Sequence, residues 1–129
     1  MTTSSNLGSP IKVSVETFFI EGQSEPDKSK FVFAYTITIK NHSLCSAKLL
    51  NRYWLITDAD GKETEVEGEG VVGEQPTIAP GESYSYTSGS VLDTPLGTMQ
   101  GHYTFRNEFG TEFEAPISVF RLSIPNLVH

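Results

Sequence analysis

The stretch Arg52–Gly89, RYWLITDADGKETEVEGEGVVGEQPTIAPGESYSYTSG, decides the fold, because it holds two strands, a glycine-rich loop and a Pro-Gly turn in one unbroken run. A strand from about Lys48 to Thr57 sets Leu50, Arg52, Trp54 and Ile56 on one face and Leu49, Tyr53 and Leu55 on the other. Two partly apolar faces mark a central strand, and Trp54 is its core anchor because a large aromatic buries the most area there. Asp58-Ala59-Asp60-Gly61 then makes a tight turn in which Gly61 supplies a positive φ. From Lys62 the chain places Thr64 and Val66 on one face and Glu63, Glu65, Glu67 and Glu69 on the other, until Gly68, Gly70 and Gly73 break the alternation. It turns again through Pro76 and Ala79-Pro80-Gly81-Glu82 into a strand carrying Tyr84 and Tyr86.

Outward from this stretch the same period of two recurs, and the i, i+3, i+4 spacing of an amphipathic helix does not. Ile11, Val13, Val15 and Phe19 line one face of a first strand. Phe31, Phe33, Tyr35, Ile37 and Ile39 line a second, after the polar loop GQSEPDKSK. Met99, Gly101, Tyr103 and Phe105 form another strand, ending in the turn Asn107-Glu108-Phe109-Gly110. The last carries Phe113 and Ala115, then Ile117 and Val119 beyond Pro116. That proline cannot donate to a ladder, so it requires an edge or a bulge, and the pair Phe120 and Leu122 implies a register change. About seven short strands with regular turns predict an all-β, two-sheet antiparallel sandwich of the fibronectin type III or immunoglobulin kind, with a barrel as the alternative.

The chain has 129 residues, enough for one domain that removes about two-thirds of its unfolded surface from water. We expect a tail over residues 1–10, the domain over 11–125 and a short tail over 126–129. The N-terminus lacks the basic and apolar regions of a secretory signal, and no apolar run reaches the ~20 residues needed to cross a bilayer. Cys45 is the single cysteine, which fits a reducing compartment and makes cytoplasm the expected location. A net charge of −7 with scattered Lys and Arg argues against nucleic-acid binding and keeps a small domain soluble.

Arg52-Tyr53-Trp54 with Ile56-Thr57-Asp58, then Gly68 to Pro76 (GEGVVGEQP), Ile78 to Glu82 (IAPGE) and Met99 to Tyr103 (MQGHY) resemble the bacterial ApaG family, also called CorD, in order and over Ile11 to Pro125. The resemblance implies a fibronectin type III-like sandwich, relatives that act through protein contacts, and a genetic link to cobalt resistance and magnesium efflux.

Candidate sites follow from residue chemistry. Gly68-x-Gly70-x-x-Gly73 matches the dinucleotide fingerprint in spacing, but a pyrophosphate site needs a helix N-terminus after it; Pro76 and Pro80 leave no room for one, and the flanking glutamates repel phosphate. A backbone nest for phosphate or a nucleotide is the remaining form of that reading. Glu63, Glu65, Glu67 and Glu69 form a row about 6–7 Å apart. They would hold Mg2+ or Co2+ only with help from Asp58, Asp60 or Glu74, and they otherwise read as charges protecting an edge strand. His42 and Cys45 have the spacing of half a metal site, without the other half in His102 or His129. Ser83, Ser85, Ser88 and Ser90 lie in strand alternation with no nucleophile elbow, so the chain reads as a non-enzyme with no cofactor. Tyr53, Phe109 and Phe120 are the candidate protein-binding aromatics. Pairing at the last strand or the Lys62 strand is the other route to an unidentified protein partner or a homodimer. The leading expectation is thus a protein-interaction module tied indirectly to cation homeostasis, with direct cation binding and a phosphate ligand as alternatives.

Overall fold

A computed structural model describes residues 10–125. The expected tails, apart from Pro10, lie outside the described residues. Eight strands follow one another: β1 (Ile11–Phe19), β2 (Phe31–Asn41), β3 (Ala47–Asp58), β4 (Glu63–Glu69), β5 (Thr77–Ile78), β6 (Ser83–Leu92), β7 (Leu96–Asn107) and β8 (Glu112–Ser123). The strand beyond the expected seven is the two-residue β5. The polar loop between β1 and β2 folds into two 3-10 turns, Glu21–Gln23 and Pro26–Lys28.

Alternation turns into two layers. One sheet has the order β1-β2-β6, the other β4-β3-β7-β8, with β5 pairing the start of β3, and every pairing is antiparallel. The whole odd-numbered set of β2, Phe31 to Ile39, is buried against the second sheet. That sheet contributes Leu49, Trp54, Met99, Tyr103, Phe105, Ala115, Ile117 and Leu122. Trp54 is 3% exposed and meets Tyr35, Phe120 and Tyr103 edge-on or tilted, at centroid distances of 5.6, 5.7 and 6.3 Å. Such offset contacts suit the ring quadrupoles. β3 lies inside its sheet, as its two apolar faces require.

Two bulges set the faces. In β3 the register with β7 slips between Leu49 and Asn51, so Leu50 is an extra residue. One extra residue flips the faces on its two sides relative to each other. Leu49 is therefore buried on the Trp54 side, contrary to the unbroken alternation of the sequence reading. In β8, Ser118 and Val119 together oppose Gln100, between the pairs Met99 with Phe120 and Gly101 with Ile117. This is the register change expected after Pro116, in a strand that lies at the sheet edge.

Gly101 permits the close approach of β7 to β3, since a Cβ there would collide with the Tyr53 carbonyl oxygen. One end of the sandwich is tied by Asn41, which has no exposure. Its Nδ2 donates to the carbonyls of Cys45 and Ile78, each at 2.8 Å, and its Oδ1 accepts from the Ser43 amide at 2.9 Å and hydroxyl at 2.7 Å.

Candidate functional site

The glycine loop leaves β4 beside Arg52. Gly68 does not break the strand but pairs with Arg52 inside β4, a correction to the sequence reading. A Cβ at Gly68 would lie 2.8 Å from Arg52 Nη1, so the missing side chain lets the guanidinium lie over the strand. Gly70 has φ +63, and a Cβ there would collide with the Glu74 carbonyl oxygen. Gly73 has φ +84 in the turn Val71–Glu74, which two hydrogen bonds close: Val71 N to Glu74 O at 2.8 Å and Glu74 N to Val71 O at 2.9 Å. The Gly70 amide goes to Leu50 O at 2.8 Å. Gly70 and Gly73 thus have a backbone reason for their places, and Gly68 has the Arg52 side chain. Three of the loop's amides are spent within the fold, and no helix follows among the described residues. Next to them Val72 is held at φ +42 and is 57% exposed, a strained conformation for a β-branched residue.

Arg52 joins the loop to the space between the sheets. Its Nη1 donates to the carbonyls of Glu69 and Gly70 at 3.1 and 3.0 Å. Among the described residues it forms no ion pair, and no fully buried side-chain nitrogen or oxygen lacks a partner, so the remaining guanidinium donors are within reach of solvent. A cleft of about 170 Å³ opens there, lined by Tyr35, Arg52, Val72, Gly73, Tyr86 and Ser88 among others. Burial raises the Tyr35 and Tyr86 phenols above the usual tyrosine range, while the Arg52 charge pulls both the other way. Deeper, Tyr103 is raised further by burial and by its Tyr86 neighbour.

The acidic residues do not converge. Glu63, Glu65, Glu67 and Glu69 are all exposed along β4. Among the described residues no three His, Cys, Asp or Glu side chains are arranged to hold a metal ion. Several already have structural tasks. Asp58 Oδ1 accepts the amides of Asp60 and Lys62, both at 2.9 Å, which caps the turn. Glu65 accepts from the Tyr53 hydroxyl at 2.6 Å, and Glu74 from the Tyr84 hydroxyl at 3.0 Å. His42 is exposed, Cys45 is half-buried, and His102 stacks on Tyr53 at 5.1 Å with Glu114 at 3.4 Å.

The three aromatic candidates separate. Phe109 is 75% exposed in the β7–β8 turn, and Leu44 is 94% exposed in the β2–β3 loop. The two loops are clipped together by Ser46 N to Glu108 Oε1 at 2.9 Å and Glu108 N to Ser46 O at 3.1 Å. Tyr53 is half-buried against His102. Phe120 is half-buried, because the β8 bulge turns it onto Trp54 and Tyr35 at the margin of the core.

The sheet edges differ in what guards them. β4 carries its four glutamates, and β8 carries Glu112, Glu114, Pro116, Arg121 and a bulge. β1 carries Lys12 and Glu16 and lies next to β8. β6 has neither a charged residue nor a proline in its ten residues, SYSYTSGSVL, and among the described residues it bonds to β2 on one side alone. Nothing in the local sequence marks it as an edge. Natural edges are usually defended, so this uncharged run reads locally as an interior strand, and only the pairing places it at an edge.

Two antiparallel sheets enclosing one aromatic core define a small β-sandwich protein. Among the described residues no helix is long and apolar enough to cross a membrane. The family model described as the ApaG domain matches residues 21–107. Protein ApaG of Photobacterium profundum is 58% identical over 126 residues, covering 98% of this chain and 99% of that protein. Protein ApaG of Escherichia coli O1:K1 is 56% identical over 124 residues, covering 95% and 99%. An X-ray structure of a Northeast Structural Genomics Consortium target superposes with a TM-score of 0.89 at 54% identity, covering 93% of this chain and 91% of that one. A crystal structure of a Bordetella pertussis protein described as ApaA gives 0.88 at 45%, covering 91% and 95%. The chain belongs to the ApaG family.

Proposed function

We propose that this protein is a non-enzymatic interaction module that captures an extended segment of another protein at the open edge of β6. The single observation that carries the reading is the contrast among the four edges: three are defended by charge, proline or bulge, and β6 is a ten-residue uncharged strand with one side unpaired among the described residues. An added strand gains main-chain hydrogen bonds there without burying a charge. The exposed, strained Val72 beside the same opening supplies apolar contact. The resemblance to the ApaG family supports a role, through such a partner, in cobalt resistance and magnesium efflux. The acidic row is then an edge guard, with the cation link indirect.

The test replaces the native protein in its own cells with Ser85→Lys/Thr87→Lys, two exposed β6 positions whose lysines defend the edge as natural edge lysines do. The expected result is a folded protein and cobalt sensitivity equal to that of a deletion, while Glu65→Gln/Glu67→Gln stays wild-type. Full cobalt resistance in the lysine variant removes the edge reading, and loss of resistance in the glutamine variant transfers the role to direct cation binding.

A further inference from the structure

Resting on the strand-capture reading and deepening it, we infer that the captured segment carries a carboxylate, from an aspartate, a glutamate or a chain terminus, that seats on Arg52 in the cleft between β6 and the glycine loop.

The geometry follows from strand addition. A strand laid along β6 lies about 4.8 Å from it, and its side chains alternate between the two faces of the sheet. On the inner face of β6 stand Tyr84, Tyr86 and Ser88, and the last two line the cleft with Arg52. An inward residue opposite Tyr86 or Ser88 therefore points into the cleft. Its most complementary chemistry is set by Arg52. A guanidinium has five N–H donors in a planar fork suited to a carboxylate. Two loop carbonyls engage Nη1 alone, no carboxylate of the described residues pairs with the group, and the unused donors are open to solvent. Ser88 and the Tyr35 phenol line the same cleft. The cleft of about 170 Å³ has room for a side-chain carboxylate.

The net charge sharpens the inference. At −7 the protein as a whole repels an acidic peptide, so a preference for one localises to the unpaired cation in this cleft. A neutral partner strand gains the main-chain bonds but leaves Arg52 as it is, which makes the carboxylate a specificity element and the edge the source of basal affinity.

The probe is a pair of nine-residue peptides, acetylated and amidated, of alternating threonine and valine with a central glutamate or, in the control, glutamine. Each is titrated into the isotope-labelled full chain and followed by amide and guanidinium NMR. The expected result is that both move β6 amides, that the glutamate peptide binds about tenfold tighter, and that it alone moves the Arg52 Nε signal. The preference should fall with salt and vanish in Arg52→Met. It should also vanish in Ser88→Glu, which supplies the carboxylate from β6 while keeping Arg52 and its hold on the loop. Equal binding of the two peptides at β6 overturns the carboxylate and leaves strand capture standing. A glutamate preference that survives Ser88→Glu, or that moves signals outside the cleft, also overturns it. No β6 shift with either peptide removes strand capture and this inference together.

Discussion

The Tyr86 and Tyr103 hydroxyls hydrogen-bond to each other across the interior of the sandwich, one from each sheet, and both residues are buried. The apolar layers are thus joined by a polar contact that excludes water. Removing one partner leaves the other hydroxyl buried and unsatisfied, whereas removing both leaves an apolar interface of nearly the same shape. Tyr86→Phe or Tyr103→Phe alone should cost about 1–3 kcal/mol in urea unfolding, and the double variant should cost less than the sum of the two. A sum that is strictly additive means the hydroxyls do not interact in solution.

The same burial controls the phenols. All five tyrosines have pKa values raised above the usual range: Tyr35, Tyr84, Tyr86 and Tyr103 first by burial, and Tyr53 first by its hydrogen bond to Glu65. The unfolded chain releases these protons near the ordinary value of about 10, the folded chain at higher pH. Between the two the unfolded state binds fewer protons, so stability is full below about pH 10 and falls as pH rises above it. Absorbance at 295 nm should stay low past pH 10 and then climb together with loss of β-sheet circular dichroism. In Glu65→Gln, Tyr53 should titrate earlier than in the native protein while the fold persists. A phenol set that titrates fully near pH 10 with the sheet intact contradicts the buried arrangement.

Gly101, Gly70, Gly73 and Gly81 make a graded series. At Gly101 a new Cβ runs into the Tyr53 carbonyl between two paired strands, and neither can retreat without breaking the ladder. Gly101→Ala should cost more than about 4 kcal/mol and abolish cooperative folding. Gly70→Ala adds a backbone collision to a positive φ. Gly73→Ala and Gly81→Ala meet open space and bear the left-handed backbone alone, which costs about 1–2 kcal/mol. Thermal melts should rank the variants in that order. Equal effects at Gly70 and Gly73 would mean that their spacing is not explained by the backbone.

Most of the fold was legible in the sequence because side-chain period, turn glycines and Pro116 are local signals. The alternation of Phe31 to Ile39 gave the face of β2, and Trp54 its core position, directly. The misplacements came from bulges. Leu49 changed face through one extra residue at Leu50, and Phe120 turned inward through the extra residue of β8. Pro116 and the pair Phe120 and Leu122 announced the β8 bulge, while nothing at Leu50 announces the one in β3. The candidate site was less legible. The Arg52 cleft and the open β6 edge depend on which distant strands pair, and the register of residues far apart in the chain is not written in either strand alone.

Asn41 tests the end of the sandwich opposite the Asp58 turn. It spends both amide hydrogens on the carbonyls of Cys45 and Ile78 and its oxygen on Ser43, with no exposure to solvent. Asn41→Asp keeps the shape but turns an oxygen toward those two carbonyls. The ionised carboxylate is disfavoured there by burial and by the facing lone pairs, so its folded pKa lies above the unfolded value of about 3.9. At low pH the protonated carboxyl still donates to one carbonyl. As pH rises through the folded pKa that donor is lost, and stability falls. The variant should lose about 1 kcal/mol near pH 4 and about 3 kcal/mol or more near pH 7, read by urea midpoints across that window. A deficit independent of pH would show that the side chain escapes to solvent by opening the Ser43 loop rather than staying in the knot.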